Sequence, residues 1–533
     1  MNSYDYVIVG AGSAGCVLAN RLSKDPAHRV LLIEEGPEDT SPLIGMPKGF
    51  GKLLTDPRHA TYTPVTPHAG NGQRQEVWAR GKMLGGSSSI NGMVYMRGHP
   101  DDYNEWEAQG ATGWGWSTIG PIFKALEDHS LGADELRGAG GPLKLSQSTD
   151  KTELAEAVLA ACGQLGLRRL EEINRLDHEG VAYLVYTMRD GVRQSAAQAF
   201  LKPARSRGNL TVITGAQVTR VLFDGTRACG IEARVGGQVT SFGASRELIL
   251  SAGALQSPRL LQLSGVGDGT HLQSLGIQPV AHNPGVGANM REHLLYMAQW
   301  RLKDWQHSQN REFSGWRVGL NAARYLLGKS GPLGTGAYPV GGFYRSRSNV
   351  DRPDAQLMMC PFTLDFASGG MKMEKIPGML LFSYGLRPRS QGHVRIVAAD
   401  PDVPADVNPN YLADAEDQTV AIASMRFMRR VAEQTGLANL IAEETRPGPA
   451  TQSDAQLLDE IRRNGQSGYH ACGTCRMGGD AQSVVDANLR VRGVQGLRVV
   501  DLSVAPTMLS GNTNGPVMAM AWHAADLILS EAA

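Results

Sequence analysis

The chain opens on a short apolar run, Tyr4-Asp-Tyr-Val-Ile-Val-Gly10, that stops at a glycine. A continuous run of this length predicts a strand buried on both faces rather than one half exposed. Residues 13–22 predict a helix starting at the glycines, and Arg29-Val-Leu-Leu-Ile-Glu34 a second strand, so the first 34 residues read as a βαβ unit. From 43 to 79 the periodicity weakens among Gly, Pro and polar residues, which predicts an extended excursion. Apolar spacing returns at 152–166, where Leu154, Val158, Leu159 and Cys162 share one helical face behind Thr152, a candidate cap. Strands are predicted again at Leu210-Thr-Val-Ile-Thr, from Val218 to Phe223, at Gly230-Ile-Glu-Ala-Arg and at Glu247-Leu-Ile-Leu-Ser. Residues 295–450 alternate strand and helix patterns, with a helix predicted at about 416–435.

Strands near both ends read as parts of one sheet, so the chain is predicted to be α/β (α+β overall). Residues 1–150, 201–295 and 455–533 would form a discontinuous, doubly wound, Rossmann-like domain. Residues 151–200 and 296–454 would form a substrate-binding domain on a mainly antiparallel sheet with helices outside. With 533 residues the chain is long enough for two or three cores.

Composition narrows the function by exclusion. Hydrophobic residues make up 42% and charged residues 20%, the balance of an ordinary soluble protein. Lys+Arg and Asp+Glu are equal at 52 each, so net charge supports neither nucleic acid nor an anionic membrane as partner and leaves room only for a local patch. The N-terminal run lacks a positive leader and reads as a strand, and nothing approaches the roughly 18 apolar residues of a membrane span. A cytoplasmic address is expected. Six scattered cysteines do not form a disulfide framework. Cys472-Gly-Thr-Cys475 has CxxC spacing without a second CxxC or a His cluster, so no metal site is expected and the two thiols read as packing residues.

Chemistry enters with Gly10-Ala-Gly-Ser-Ala-Gly15. The fingerprint follows a strand, opens a helix, and has Glu34 at the end of the next strand. Gly10, Gly12, Ser13, Ala14 and Gly15 would let a pyrophosphate approach the helix N-terminus, and Glu34 would accept ribose hydroxyls, which argues against NADP. FAD and NAD are not separated by this motif.

A second Gly-rich stretch separates them: Arg80-Gly-Lys-Met-Leu-Gly-Gly-Ser-Ser-Ser-Ile-Asn-Gly-Met-Val-Tyr-Met-Arg-Gly98. With Gly253-Ala-Leu-Gln-Ser-Pro-Arg-Leu-Leu-Gln-Leu-Ser-Gly-Val-Gly267, Asn283-Pro-Gly-Val-Gly-Ala-Asn289 and Arg498-Val-Val-Asp-Leu-Ser-Val-Ala-Pro506, it resembles the glucose–methanol–choline (GMC) oxidoreductases, FAD-dependent alcohol oxidases and dehydrogenases. The likeness runs from about 4 to 530 and is weakest between 300 and 450. It implies FAD held by the fingerprint, by Arg80, Leu84, Gly85, Gly86 and Ser87, by Asn91, Gly92, Met93 and Val94 near the ring, by Val218 near the adenine, by Ala252 and Gly253, and by Asp501 and Asn512. Ile90 stands where some relatives attach FAD through a His, so the flavin is expected to be non-covalent.

The resemblance further implies that His470, in Ser467-Gly-Tyr-His-Ala-Cys, is the base and Asn514, in Gly511-Asn-Thr-Asn-Gly-Pro516, its partner in alcohol oxidation. A neutral imidazole suits removal of the hydroxyl proton, and an amide can steady the developing alkoxide. His523 is predicted to face packing or solvent, and His293 to serve structure. Tyr469, Phe343 and Phe362 are the expected pocket walls, with Tyr344 and Phe366 as further candidates. Choline-specific relatives carry a carboxylate before the Gly-Gly-Phe matched by Gly341-Gly-Phe343; Tyr338-Pro-Val340 holds none, which favours an uncharged primary alcohol. His59-Ala-Thr-Tyr62 also lacks the Trp that relatives place near the flavin edge. The acceptor would be O2 or another electron acceptor. Two alternatives share the fold: a hydroxynitrile lyase using the same His, and a choline dehydrogenase.

Overall fold

A computed structural model describes residues 2–365 and 372–532. Among these residues, two seven-stranded sheets organise the chain. The first is built on Asn2–Val9, which pairs in parallel with Val30–Ile33 on one side and Gln238–Leu250 on the other. Leu210–Ile213 extends one edge in parallel, and Leu497–Val499 pairs in parallel with the end of Gln238–Leu250. Ala216–Asp224 and Arg227–Val235 complete it as an antiparallel meander. The parallel centre is buried on both faces, as Val7, Ile8, Leu31, Leu32, Leu248 and Ile249 show, and this is why those segments read as unbroken apolar runs. Helices Ser13–Leu22 and Asn514–Ala532 pack together against it.

In the second sheet every pairing is antiparallel, in the order Ile441–Arg446, Leu294–Leu302, Gly378–Gly385, Ala355–Cys360, Val340–Tyr344, Gly180–Tyr183. Gln466–Ser467 pairs with the start of Leu294–Leu302. The strand period of two divides its side chains between two cores. Leu294, Tyr296, Leu357, Met359 and Leu381 meet helix Ala415–Ala432 through Val420 and Met425. Met297, Cys360, Leu380 and Phe382 face the other way.

The helix expected at 152–166 is Glu153–Gln164, and Thr152 Oγ1 accepts its Ala155 N–H at 3.2 Å. The excursion at 43–79 holds more order than its composition indicated: Ala60–Val65 pairs antiparallel with Glu76–Gly81. Pro64 and the polar content of these strands hid the pairing.

Candidate active site

One cavity of about 1710 Å³ runs from the carboxyl ends of Asn2–Val9 and Val30–Ile33 to the inner face of the second sheet. Ligands of doubly wound sheets bind at that end of the strands. Gly10 has φ +98°, and a Cβ there would stand 2.6 Å from the Ser251 carbonyl oxygen, so only glycine fits the turn. Glu34 is buried with its carboxylate accepting the Ala11 N–H at 2.8 Å and the Gly36 N–H at 3.0 Å, leaving lone pairs for a ligand in the cavity. Burial raises its pKa to about 7, against the pull of those two N–H groups.

Most residues expected at the cofactor line this cavity: Gly10, Gly12, Ser13, Ala14 and Glu34 at one end; Arg80, Gly86, Ser87, Asn91, Gly92, Met93 and Val94 along the wall; Val218, Ala252, Gly253, Asp501 and Asn512 opposite. Gly15, Leu84 and Gly85 do not, and stand behind the wall. A Cβ on Gly15 would lie 1.9 Å from the Gly10 carbonyl oxygen, Leu84 is a core residue, and the Gly85 N–H donates to the Ala11 carbonyl. Asp501 is held by the Gly253 N–H at 2.9 Å and the Ser503 N–H at 2.8 Å. Asn91 is fixed by buried Arg193, whose Nη1 donates to Asn91 Oδ1 at 2.7 Å while Nε donates to the Ile44 carbonyl at 3.0 Å. Sequence reasoning missed Arg193, because it lies about a hundred residues from its partner in the short strand Val192–Arg193, which no pattern marked. Ile90 lines the cavity and offers no nucleophile to a flavin.

At the far end stands His470, buried and presented by Tyr469, which adopts the left-handed conformation at φ +61°. Tyr469 is half exposed, lines the cavity, and lies beside the Arg80 guanidinium, 5.4 Å from its ring centre. The Glu292 carboxylate accepts the His470 backbone N–H at 2.8 Å and sits 3.6 Å from Arg80. Burial raises Glu292 to about 7.

Two buried partners fix the His470 ring. His293 Nε2 is 2.8 Å from the Leu386 carbonyl oxygen, an acceptor only, so Nε2 carries the proton. Burial lowers the His293 pKa to about 4 and keeps the ring neutral, leaving Nδ1 bare. His470 Nδ1 lies 2.9 Å from that nitrogen and must donate to it. His470 is itself held neutral, its pKa pushed well below the ordinary value by burial, then by His293 and Arg80. Its Nε2 is therefore the bare nitrogen, the form a general base requires.

That nitrogen is 3.3 Å from Asn512 Nδ2. The Asn512 amide is oriented by a buried chain, in which Tyr384 O–H donates to Gln356 Oε1 and Gln356 Nε2 donates to Asn512 Oδ1 at 3.3 Å. The N–H2 end is thereby aimed at His470. Here the structure brings a different asparagine beside His470 than the one expected. Asn514, predicted as the partner, is the first residue of helix Asn514–Ala532, and its Oδ1 accepts from Ser13 Oγ at 2.7 Å, at the fingerprint end. His293, predicted to serve structure, touches the candidate base. His523 packs edge-on against Trp114, away from the cavity, as its helical position indicated.

The arm of the cavity beyond His470 is mainly apolar, walled by Met297, Ala337, Met358, Cys360, Phe362 and Phe382, with Tyr338 and Tyr384, and Lys48 also lines the cavity, its ammonium 5.8 Å from the Phe313 ring centre. Phe362 is where it was expected. Phe343 is not: it is buried behind the wall, its ring 4.4 Å from that of His178. Tyr344 points to the other face and stacks on Phe427. Phe366 lies outside the described residues. Cys472 and Cys475 are buried free thiols off the cavity, and burial pushes Cys472 up to about 12.

Against known proteins, the family models for GMC oxidoreductases match residues 4–295 and 388–521. The chain belongs to that family. It is 39% identical over 540 residues to mitochondrial choline dehydrogenase of Mus musculus, covering 99% of this chain and 89% of that one. It is also 39% identical over 531 residues to an alcohol dehydrogenase [acceptor] of Pseudomonas putida, covering 99% and 96%. Among solved structures it resembles pyridoxine 4-oxidase from Mesorbium loti, with a TM-score of 0.89, 32% identity and 98% coverage of both chains. The protein is therefore an FAD-dependent oxidoreductase acting on CH–OH groups.

Proposed function

We propose that this GMC oxidoreductase oxidises an uncharged primary alcohol, aliphatic or aromatic, to its aldehyde, with His470 as base and Asn512 as its partner. The observation that carries this reading is the bare Nε2 of His470, held in that tautomer by His293 and faced by the Asn512 N–H2 at 3.3 Å. A hydroxyl entering between the two would donate its proton to Nε2 and accept from Asn512, which steadies charge as it builds on oxygen. The carbinol carbon would then face the wall around Asn91 to Val94, where FAD fits by its glycine turns, the Glu34 carboxylate and the Asn91–Arg193 clamp. FAD, when bound, supplies the hydride acceptor. The residues assigned to it span segments 10–34, 80–94, 218, 252–253 and 501–512, within the cofactor domain proposed at 1–150, 201–295 and 455–533.

The apolar arm supports an uncharged substrate, because no carboxylate lies among its walls. Glu76 also lines the cavity, yet its carboxylate is bonded to the Trp78 indole N–H at 3.0 Å and paired with Arg74. Choline remains the second reading, favoured by the relatives that carry its name.

The test is anaerobic mixing of the FAD-loaded enzyme with a panel of aliphatic and aromatic alcohols and choline, followed by air. Flavin bleaching by uncharged alcohols and not by choline is expected. His470→Ala should slow bleaching about 10² to 10⁴-fold. Bleaching by choline alone would replace the proposal with the second reading. No bleaching across the panel would move it towards a lyase. The rate of recolouring in air separates O2 from another acceptor.

A further inference from the structure

One surface helix has its polarity reversed. In Trp316–Gly328 the inward face carries Asn321 and Tyr325. Asn321 Nδ2 donates to the Glu312 carbonyl at 2.9 Å, and the Tyr325 hydroxyl donates to the Gly45 carbonyl at 2.9 Å. The outward face is apolar. Trp316, Leu320, Ala323 and Leu327 follow at spacings of four, three and four, which places them in one stripe, and Leu326 borders it. Trp316 is 72% exposed, Leu326 64% and Leu327 90%. Scattered apolar residues need no explanation on a protein surface; an ordered stripe on a helix anchored by its polar face does.

We propose that this stripe docks on the surface of an anionic phospholipid bilayer. The helix lies beside the active-site cavity, since Val318 and Ala322, on a third face, line it. Residues 316–329 contain Arg317, Arg324 and Lys329 and no Asp or Glu; Arg317 pairs with Glu312 at 3.2 Å, which leaves Arg324 and Lys329 as the cations beside the stripe. Arg324 makes no ion pair among the described residues. An apolar stripe flanked by cations is the pattern of a helix lying in the interface plane, its apolar side sunk about 5–10 Å among headgroups and acyl chains. A second copy fits less well. A two-fold pairing through one helix about 20 Å long would cover far less than the roughly 800 Å² per partner of a stable complex. The neutral charge of the whole chain does not oppose docking, because attraction to lipid acts over about a Debye length and depends on the local patch. Docked this way, the apolar arm of the cavity opens next to the phase in which apolar alcohols accumulate.

The experiment is flotation of the full-length FAD-loaded protein with vesicles of phosphatidylcholine, alone or mixed with phosphatidylglycerol. Bound protein is scored by flavin absorbance, so the result does not depend on the alcohol reading. Flotation with the mixed vesicles is expected, weakened by added salt. Leu320→Gln with Leu327→Gln should lower partitioning about tenfold or more. Arg324→Gln should lower it about fivefold on mixed vesicles and leave it unchanged on phosphatidylcholine. Neither change touches the cavity, so flavin content and bleaching rate in solution serve as controls for folding. Failure of the protein to float, or equal flotation of all variants, overturns the proposal. So does a concentration-dependent dimer in sedimentation that the double Leu variant abolishes, which would assign the stripe to a second copy.

Discussion

Which nitrogen of His470 carries the proton is decided by an imidazole 177 residues away in sequence. A neutral His470 free to choose its tautomer would present its bare nitrogen to the cavity only part of the time; the bare Nδ1 of His293 removes that choice. His293→Ala should therefore lower kcat/KM about tenfold or more while flavin content is retained, and His293→Gln, whose amide can still accept from His470 and donate to the Leu386 carbonyl, should recover part of the loss. Recovery that is absent in Gln, together with lost flavin, would mean His293 only fills space. The same burial sets the pH profile. Because the His470 pKa is lowered, the base stays unprotonated until the pH falls below its ordinary value of about 6.5, so the acid limb of kcat/KM should lie under that value. Stability should follow Glu292 in the opposite sense. Its folded pKa, about 7, exceeds the ordinary value of 4.5, so the folded state binds more protons across that window. Stability is fully present below 4.5, is lost as pH rises through 7, and is level above. Thermal melts of Glu292→Gln should show a smaller fall between those limits than melts of the parent.

At the scale of elements, the two asparagines of Gly511-Asn-Thr-Asn-Gly515 make different contacts, and their separation explains why spacing alone did not tell them apart. In a regular helix or strand the spacing of Asn512 and Asn514 would have assigned their faces. Gly511 takes φ +103° and the helix begins only at Asn514, so no period applies across the motif. Asn512 turns to His470; Asn514 ties the start of one helix to Ser13 at the start of another. Asn512→Ala should lower kcat/KM about 10²-fold or more with flavin retained. Asn514→Ala should instead weaken FAD retention, measured by flavin released on dilution, with turnover of the flavin-loaded fraction nearly unchanged. Equal effects on both readouts would sink the division. Legibility elsewhere followed the same physics. The strands around Val7, Leu31 and Leu248 were readable because burial on both faces leaves unbroken apolar runs. Phe343 was misplaced because alternation along Val340–Tyr344 shows that neighbours face opposite ways without saying which face meets the cavity.

On the scale of the whole molecule, the cavity is where the two sheets meet. Its fingerprint end rests on the parallel sheet and its apolar arm on Leu294–Leu302, Ala355–Cys360 and Gly378–Gly385. The polar chain Tyr384–Gln356–Asn512–His470–His293 joins residues of the second sheet to the loop before the C-terminal helix, so the geometry of the base depends on both sheets holding their positions. None of this was available from sequence, because each link joins segments tens to hundreds of residues apart. A dinucleotide lodged along the cavity contacts the folded arrangement of many segments that the unfolded chain cannot reproduce, and it must therefore stabilise the fold by linkage. With free FAD a hundredfold above its Kd, the gain is about 2.7 kcal/mol at a single site. Thermal melts of flavin-stripped protein titrated with FAD should rise steadily with the logarithm of its concentration, and should rise less in Gly10→Ala, where the added Cβ forces the turn from the Ser251 carbonyl. A melt indifferent to FAD in the parent chain would mean that the segments named here do not bind it.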